Sequence, residues 1–162
     1  VNAGSKSGIK EKMGLIGTKG ILGIVKNVTD NYATIRPLIN PNFGLKVIHQ
    51  NTNSWGDLIW IPQENNFQNI FVKNIPIYTK VKQGDYFISS GAEGLFPAGL
   101  KVGKVIEIIE NIEQQTLDIK LKIEEDFSRI KIGFVVMNKT VDEINLHLKK
   151  KWFLNLEISL GF

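Results

Sequence analysis

The feature that most restricts the fold is a succession of short, strand-like segments separated by turn residues. The segments are ILGIVKNV, YATIRPLI, LKVIHQ, DLIWIP, NIFVKNI, DYFISS, KVIEII, LDIKLKI and GFVVMN. They are β-branched or alternating, and between Ser5 and Asn138 no helical period is convincing. Short strands at this spacing are typical of small antiparallel barrels or sandwiches. We therefore predict an all-β fold.

Parts of the chain also resemble each other. Residues 8–17 (GIKEKMGLIG) resemble residues 80–91 (KVKQGDYFISSG), GIVKNV from Gly23 resembles GKVIEI from Gly103, and NPNF ending at Phe43 resembles EEDF ending at Phe127. The separation between the partners grows along the chain, as if one loop were longer in the second copy. Such an internal repeat predicts two related modules, which we interpret as two small six-stranded-type β-barrels in tandem.

The repeat suggests a division of the chain into three parts. We assign residues 1–76 to the first β-barrel and residues 77–138 to the second, and the last strand, 133–138, could also pair back to the first barrel. Residues 139–162 form a tail. In the tail, Thr140 and Glu143 make a capping box for a short helix that extends to about Trp152.

The end of the tail alternates as a strand does. Leu154, Leu156, Ile158 and Leu160 lie on one face of this predicted strand. A terminal strand needs a sheet edge to satisfy its backbone. It therefore predicts either a cap on the first barrel or strand exchange between copies, and the four apolar residues are our candidates for self-association.

The glycine-rich stretch VKQGDYFISSGAEGLFPAGLKVGKVIEI, residues 81–108, could serve a phosphate or a tight barrel connection. It contains neither G-x-G-x-x-G nor G-x-x-x-x-G-K-[ST], and no predicted helix follows it. We therefore exclude a nucleotide site. We expect at least one of Gly91, Gly94 and Gly99 to have a positive φ.

The order His49, Asp57, Ser90 matches that of a chymotrypsin-like triad. However, His49 and Asp57 stand on the two arms of one predicted hairpin, and ISSGAEG lacks the Asp-Ser-Gly-Gly surroundings of that family. We expect His49 to be a half-exposed strand residue, and Ser89 and Ser90 to close backbone hydrogen bonds at the turn. The sequence thus predicts no catalytic residues.

Metal and cofactor sites are also not predicted. The chain has no cysteine and two histidines that lie far apart. Glu124, Glu125 and Asp126 are contiguous, which favours a solvated turn over a catalytic carboxylate pair.

The distribution of charge argues against a nucleic-acid-binding surface. The net charge is +4, but the lysines alternate with apolar residues along strands, as on a solvated face. Phe67, Phe71, Tyr78 and Phe87 are not interleaved with cations as an OB-like surface requires, so we assign most of them to the core and predict no nucleic-acid partner.

No apolar run in the sequence reaches the length that spans a bilayer. The chain begins at Val1 rather than at methionine, so we interpret it as part of a longer protein. The lack of such a run here therefore does not exclude a membrane anchor in the parent protein.

The stretch VKQGDYFISSGAEGLFPAGLKVGKV resembles the β-rich extracytoplasmic region of the rod-shape-determining MreC family, as do GSKSGIKEKMGLIGTKGILGIVKNV, PLINPNFGLKV and EEDFSRIKIGFVV. The match and the structural motif around it consist of Gly84, Asp85, Ser90, Gly91, Gly94, Phe96, Pro97, Gly99 and Gly103. By this resemblance the glycines serve turns in the second barrel. The tail after Asn138 departs from the usual ending of the family.

The resemblance implies a non-enzymatic scaffold of the bacterial cell-wall elongation machinery, without cofactors. The implied partners are the elongation-specific penicillin-binding transpeptidase, MreD, MreB and the protein itself, as a homodimer or filament. It also implies a periplasmic or extracytoplasmic location, with the full-length protein anchored to the cytoplasmic membrane. The alternative is a chymotrypsin-like or ligand-binding β-barrel protein.

Overall fold

A computed structural model describes residues 1–62, 67–130 and 132–136, and the backbone of residues 158–159. It confirms the all-β prediction. A short 3-10 helix, Ser5–Ser7, precedes the strands. These are β1 (Gly14–Ile16), β2 (Ile21–Val28), β3 (Ala33–Pro37), β4 (Leu45–His49), β5 (Trp55–Ile59), β6 (Asn69–Pro76), β7 (Tyr86–Ser89), β8 (Lys101–Asn111), β9 (Thr116–Ile123), β10 (Ile132–Val136) and β11 (Ile158–Ser159).

Six of the strands form a closed barrel in the order β4-β5-β6-β9-β8-β7. All its pairings are antiparallel, and β4 closes the barrel by pairing with β7, with Ile48 opposite Ile88. Side chains alternate between interior and exterior, as on any strand. The interior is filled by buried residues that include Val47, Phe87 and Leu121. The closed barrel therefore has no free edge strand.

The remaining described strands form a five-stranded open sheet in the order β11-β10-β1-β2-β3. Leu15 of β1 pairs with Val135 of β10 and packs into a second apolar cluster. Ile21, the first residue of β2, and Leu38, which follows β3, belong instead to the apolar core of the barrel. The two sheets therefore share part of one core.

The predicted repeat is visible in the strand pairing. Leu15 of β1 lies opposite Gly23 of β2, and Phe87 of β7 lies opposite Gly103 of β8. In both places the register shifts just after this pair. The β1–β2–β3 meander and the β7–β8–β9 meander are thus two copies of one pattern.

The predicted boundary between residues 76 and 77 does not follow the sheets. β6 ends at Pro76 but pairs with β9, so residues 45–76 and 86–123 form one barrel. The other copy forms an open sheet rather than the second closed barrel that we predicted, in the part of the chain that is described. The reason is that long-range pairing of β4 with β7 and of β6 with β9 joins the two predicted halves. The last of the predicted barrel strands, β10, pairs with β1.

The predicted tail helix lies outside the described residues, as do Leu154, Leu156 and Leu160. The backbone of Ile158–Ser159 pairs with Ile132–Gly133 of β10 in the same chain. This pairing corresponds to the internal cap. Self-association through the tail stays a prediction.

Candidate functional site

The glycine-rich loop, residues 90–100, connects β7 to β8 and packs between the barrel and the open sheet. Phe96 of this loop is buried in the barrel core. A Cβ placed on Gly14 of β1 would lie 2.5 Å from the Phe96 ring and from the Leu95 carbonyl oxygen. Only glycine permits this approach at position 14, so the loop and the open sheet are closely fitted to each other.

Hydrogen bonds within the loop explain its glycines and Ser89. The Ser89 hydroxyl donates to the Pro97 carbonyl at 2.6 Å and accepts from the Leu100 amide at 3.0 Å. Gly91, Gly94 and Gly99 all have positive φ, at 78°, 69° and 90°. The prediction of left-handed glycines is confirmed, because each turn uses a conformation that is costly for other residues.

Ser90 also serves the backbone, as predicted. Its hydroxyl donates to the Lys46 carbonyl of β4 at 3.1 Å and accepts from the Ala92 amide at 3.3 Å. The Lys46 amide in turn donates to the Glu93 carboxylate at 3.1 Å. These bonds fasten the glycine-rich loop to the barrel wall.

His49 is fully buried, so the expectation of a half-exposed residue was wrong. As the inward-facing last residue of β4, it packs its ring 5.2 Å from that of Phe87. Its Nε2 lies 3.1 Å from Asp85 Oδ2, and its Nδ1 lies 2.8 Å from Thr52 Oγ1. A buried imidazole needs such partners, and the sequence did not show that Asp85 would supply one.

Asp85 holds several segments at the end of the barrel where β4 ends. Besides His49, its carboxylate accepts hydrogen bonds from the Lys82 amide at 2.8 Å and the Asn51 side chain at 3.0 Å. Gly84 beside it has a φ of 92°. The pair Gly84 and Asp85 of the predicted motif is therefore part of a tight turn.

The structure does not bring His49, Asp57 and Ser90 together. Asp57 accepts hydrogen bonds from Lys46 and Asn74, which hold the pKa of its carboxyl below the usual value. Ser90 bonds to the backbone, and His49 bonds to Asp85 and Thr52. Hence the triad order in the sequence has no counterpart in space.

Glu125 is buried rather than part of a solvated turn. Its Oε1 accepts hydrogen bonds from the backbone amides of Lys19 and Gly20, the latter at 2.9 Å. The β1–β2 turn needs a partner for these amides, and Glu125, just beyond β9, provides it. This carboxylate therefore ties the open sheet to the barrel.

A cleft of about 320 Å³ lies beside this link. It is lined by Thr18, Lys19, Glu125, Asp126, Arg129, Ile130 and Ile132. Hydrogen bonds from Ser128 lower the pKa of Asp126, and both carboxylates already accept protein donors.

Among the described residues, no three His, Cys, Asp or Glu side chains are placed to hold a metal ion. Nor do these residues contain a helix with the length and apolarity to cross a membrane.

Three exposed apolar side chains lie at the barrel end where β4, β6 and β8 end. We call Trp55, Tyr78 and Ile112 the apolar patch; they are 50%, 82% and 70% exposed. Hydrogen bonds link the loops that carry them: Thr79 Oγ1 donates to Ser54 Oγ at 3.3 Å, and the Ile77 amide donates to the Gln115 carbonyl at 3.1 Å. Large apolar residues exposed together mark interaction surfaces.

Sequence reasoning missed this patch because it assigned most aromatic residues to the core. Phe71 and Phe87 are indeed buried, whereas Phe67 and Tyr78 are exposed. A usable signal was the position of Tyr78 between Pro76 and Lys80, in a turn rather than in a strand.

Comparison with known proteins agrees with this architecture. The family described as rod shape-determining protein MreC, barrel core, matches residues 1–137. The cell shape-determining protein MreC of Listeria monocytogenes is 25% identical over 111 residues, covering 67% of this chain and 37% of that protein. This chain therefore spans little more than a third of the length of that relative.

Solved structures show the same fold. The crystal structure of MreC from Pseudomonas aeruginosa has a TM-score of 0.76 at 20% identity, covering 84% of this chain and 86% of that one. A chain in the complex between penicillin-binding protein PBP2 and MreC from Helicobacter pylori has a TM-score of 0.61 at 19% identity, covering 73% of this chain and 72% of that one. Since the family match spans residues 1–137, this chain belongs to the MreC family of rod shape-determining proteins.

Proposed function

We propose that this chain is a non-catalytic scaffold of cell-wall elongation, which binds the elongation-specific transpeptidase through the apolar patch. The observation that carries the proposal is the patch itself, Trp55, Tyr78 and Ile112, exposed on one end of a closed barrel. A family member from Helicobacter pylori has been solved in a complex with PBP2. A transpeptidase partner is therefore in keeping with the family.

The patch has the character of a protein-binding surface. Tryptophan and tyrosine are enriched among the residues that dominate binding energy, because each buries a large area at a low cost in conformational entropy. The loops that carry the patch are joined by hydrogen bonds to one closed barrel. A rigid surface that binds one conformation of an enzyme better than another stabilises that conformation.

The test is a binding measurement with the extracytoplasmic part of the elongation transpeptidase from the same organism. Trp55→Ala and Tyr78→Ala should each weaken binding at least about tenfold, as expected for central interface aromatics. Tyr32→Ala is the matched control, since Tyr32 is 61% exposed but lies at the turn of the other meander. Equal weakening by Tyr32→Ala, or wild-type binding by both patch variants, would place the interface elsewhere.

The absence of catalysis is part of the proposal. Ser90→Ala should leave cell shape intact when the variant replaces the wild-type protein, because the Ser90 hydroxyl bonds only to the backbone in the described residues. Labelling of Ser90 by a fluorophosphonate probe would instead favour the chymotrypsin-like alternative. A ligand-binding barrel would need an enclosed pocket with converging polar groups.

We further propose the other partners that the resemblance implies: MreD, MreB and a second copy of this protein. A periplasmic or extracytoplasmic location and a membrane anchor in the full-length protein belong to the same proposal. Self-association through Leu154, Leu156, Ile158 and Leu160 is tested by light scattering of the full chain against a chain ending at Asn138. Loss of oligomers on truncation would support strand exchange through the tail.

A further inference from the structure

Three exposed lysines lie close together on the outer wall of the barrel. Lys104 of β8 is directly opposite Lys122 of β9, and Lys101 is the first residue of β8. We call these three residues the basic wall. Like charges directly opposite each other destabilise a sheet. The basic wall is therefore an arrangement that folding alone does not favour.

Strand pairing extends the basic wall into a row that crosses four strands. Tyr86 of β7 lies opposite Lys104, and Asn69 of β6 lies opposite Lys122. Neighbouring strands are about 4.8 Å apart, so the row is about 15 Å long. It follows the outside of the barrel rather than entering it.

The charges of the basic wall are not neutralised within the molecule. Among the described residues, no carboxylate lies within ion-pair distance of Lys101, Lys104 or Lys122. The ammonium groups of Lys101 and Lys104 lie 4.3 and 5.9 Å from the centre of the Tyr86 ring, which carries no charge to balance them. The basic wall is thus suited to an anionic partner from outside the chain.

The other lysines on the barrel strands are placed differently. Lys73 lies 3.0 Å from Asp118, and Lys46 forms an ion pair with Asp57.

Lys120 lies directly opposite Glu107 in the β8–β9 pairing. Among the lysines of the six barrel strands, positive charge without a facing carboxylate is therefore concentrated in the basic wall.

An exposed aromatic side chain borders the basic wall. Phe67 is 59% exposed, and its ring stacks on that of Trp60 with the ring centres 6.0 Å apart. The next residue, Gln68, accepts a hydrogen bond through its carbonyl from the Ile123 amide at 2.7 Å. Since Ile123 follows Lys122, the aromatic ring lies beside the lysines, and the surface combines cations with an apolar side chain.

The shape of this surface decides between kinds of anionic partner. A small anion would need a concave site with converging groups. The basic wall lies instead on the exterior of a closed barrel, and none of its lysines lines the cleft beside Glu125. Clustered cations are attracted to anionic headgroups, and aromatic side chains are favoured at the level of those headgroups. A bilayer surface therefore matches both the lysines and Phe67.

We infer that the basic wall docks the barrel on the surface of a membrane that contains anionic lipids, with Phe67 entering the headgroup region. This contact goes beyond the proposed function, because it involves a different surface. Lys104 and Ile112 of the apolar patch are eight positions apart, roughly 25 Å along the strand and its turn. One barrel can therefore present the two surfaces to two different partners.

Co-sedimentation of the full chain with vesicles tests the contact. The chain should bind vesicles of phosphatidylcholine mixed with phosphatidylglycerol, and much less to vesicles of phosphatidylcholine alone. Binding should weaken as salt is added, because the attraction is screened. Lys104→Glu with Lys122→Glu should weaken binding at least about tenfold, since each lysine near an anionic surface contributes about fivefold.

The matched control is Lys10→Glu with Lys26→Glu. It changes the net charge by the same amount, but both lysines are exposed on the part of the chain that contains the β1–β2–β3 meander. This variant should keep most of the wild-type binding. Thermal melting establishes that each variant is folded, and Lys104→Gln with Lys122→Gln replaces the charge reversal if that variant does not fold. Equal weakening by the control would show that net charge alone is responsible and would overturn the inference.

The apolar part of the contact is tested with Phe67→Ser. This variant should lose binding that persists at high salt, because burial of the ring is not screened by ions. Tyr32→Ser is its control, since Tyr32 is 61% exposed beside the open sheet. Wild-type binding by Phe67→Ser at high salt would contradict entry of the ring into the headgroup region.

Three further results would overturn the inference as a whole. The first is a wild-type chain that does not bind phosphatidylglycerol vesicles at low salt. The second is binding to heparin through Lys104 and Lys122 without binding to vesicles, which would assign the basic wall to a soluble polyanion. The third is loss of vesicle binding in Trp55→Ala, which would place the contact on the apolar patch.

Discussion

The β1–β2–β3 meander and the β7–β8–β9 meander share one pattern of pairing, yet only the second is part of a closed barrel. In both, the register shifts again between the second and third strands, after Val25 in one and after Val105 in the other. The outer strands of the second meander, β7 and β9, pair with β4 and β6. In the first, β1 pairs with β10, but β3 stays at the edge of the open sheet. Whether a meander becomes part of a closed barrel therefore depends on which strands pair with its two outer strands, and not on the meander itself.

The connections within the two meanders differ as well. Residues 17–20 join β1 to β2, whereas the glycine-rich loop of residues 90–100 joins β7 to β8. The longer loop brings Phe96 into the barrel core and against Gly14 of the first meander. The short turn is instead held by Glu125. The β7–β8 loop therefore packs against the first meander, and the β1–β2 turn is held by a residue that follows the second.

The largest predicted effect concerns Phe96. Phe96→Ala should lower the free energy of unfolding by roughly 3 to 5 kcal/mol, because it removes a fully buried ring and leaves a cavity. Leu95→Ala is the control within the loop, since Leu95 is only partly buried, and it should cost less. Urea denaturation measures both. A loss of less than about 1 kcal/mol for Phe96→Ala would show that packing of the glycine-rich loop between the two meanders contributes little to stability.

The equivalent glycines of the two meanders provide the most direct comparison. A Cβ on Gly103 would lie 2.7 Å from the Lys122 carbonyl oxygen, and one on Gly23 would lie 2.4 Å from that of Arg36. β9 is held on both sides in the barrel, whereas β3 is an edge strand that can move away. We therefore expect about 3 kcal/mol of destabilisation for Gly103→Ala and about half of that for Gly23→Ala. Equal losses of stability for the two variants in thermal melts would mean that the edge strand β3 cannot move away from the added Cβ.

A third prediction concerns the hydrogen bonds by which Glu125, just beyond β9, holds the β1–β2 turn of the first meander. Glu125→Gln should cost roughly 1 to 2 kcal/mol, because hydrogen bonds from the Lys19 and Gly20 amides to a charged acceptor are stronger than those to a neutral one. Glu124→Gln is the matched control at the neighbouring, partly exposed position. Chemical denaturation compares the two. If they are equally harmless, the β1–β2 turn holds its shape without the carboxylate.

The sequence predicts the local part of this structure well. Each predicted strand from Ile21 onward overlaps an observed strand, and the left-handed glycines of the loop lie where turn chemistry places them. The short strand β1 was visible only as part of the repeat, since its three residues show no alternation.

The features that the sequence did not predict depend on contacts between residues that lie far apart in the chain. The sequence did not show that β6 pairs with β9, although residues 45 positions apart, Lys73 and Asp118, form an ion pair between these strands. His49 and Glu125 were assigned to exposed positions because their partners, Asp85 and the amide of Gly20, lie far away in the sequence. The apolar patch likewise combines three separate parts of the chain, namely the start of β5, the turn after β6 and the turn after β8.

The smallest predicted effect concerns Asp57 of β5, whose side chain links the strands on either side of it through Lys46 of β4 and Asn74 of β6. Hydrogen bonds from Lys46 and Asn74 hold its pKa below that of the unfolded carboxyl, which is about 3.9. The charged form is therefore favoured by folding, so its stabilisation is present above about pH 4 and is lost as the pH falls through the folded pKa. Because the pair is partly exposed, Asp57→Asn should cost less than about 1 kcal/mol at neutral pH.

The pH dependence distinguishes this link from simple packing. The difference between Asp57→Asn and the wild type should shrink towards zero as denaturation curves are taken from about pH 7 to about pH 3. Asp30→Asn removes an exposed pair with Lys6 beside the open sheet, 3.6 Å apart, and is the control. If the Asp57 difference is constant over this range, the hydrogen bonds from Lys46 and Asn74 do not act through the carboxylate charge. Strands β4, β5 and β6 would then be held together by their backbone pairing and the apolar core.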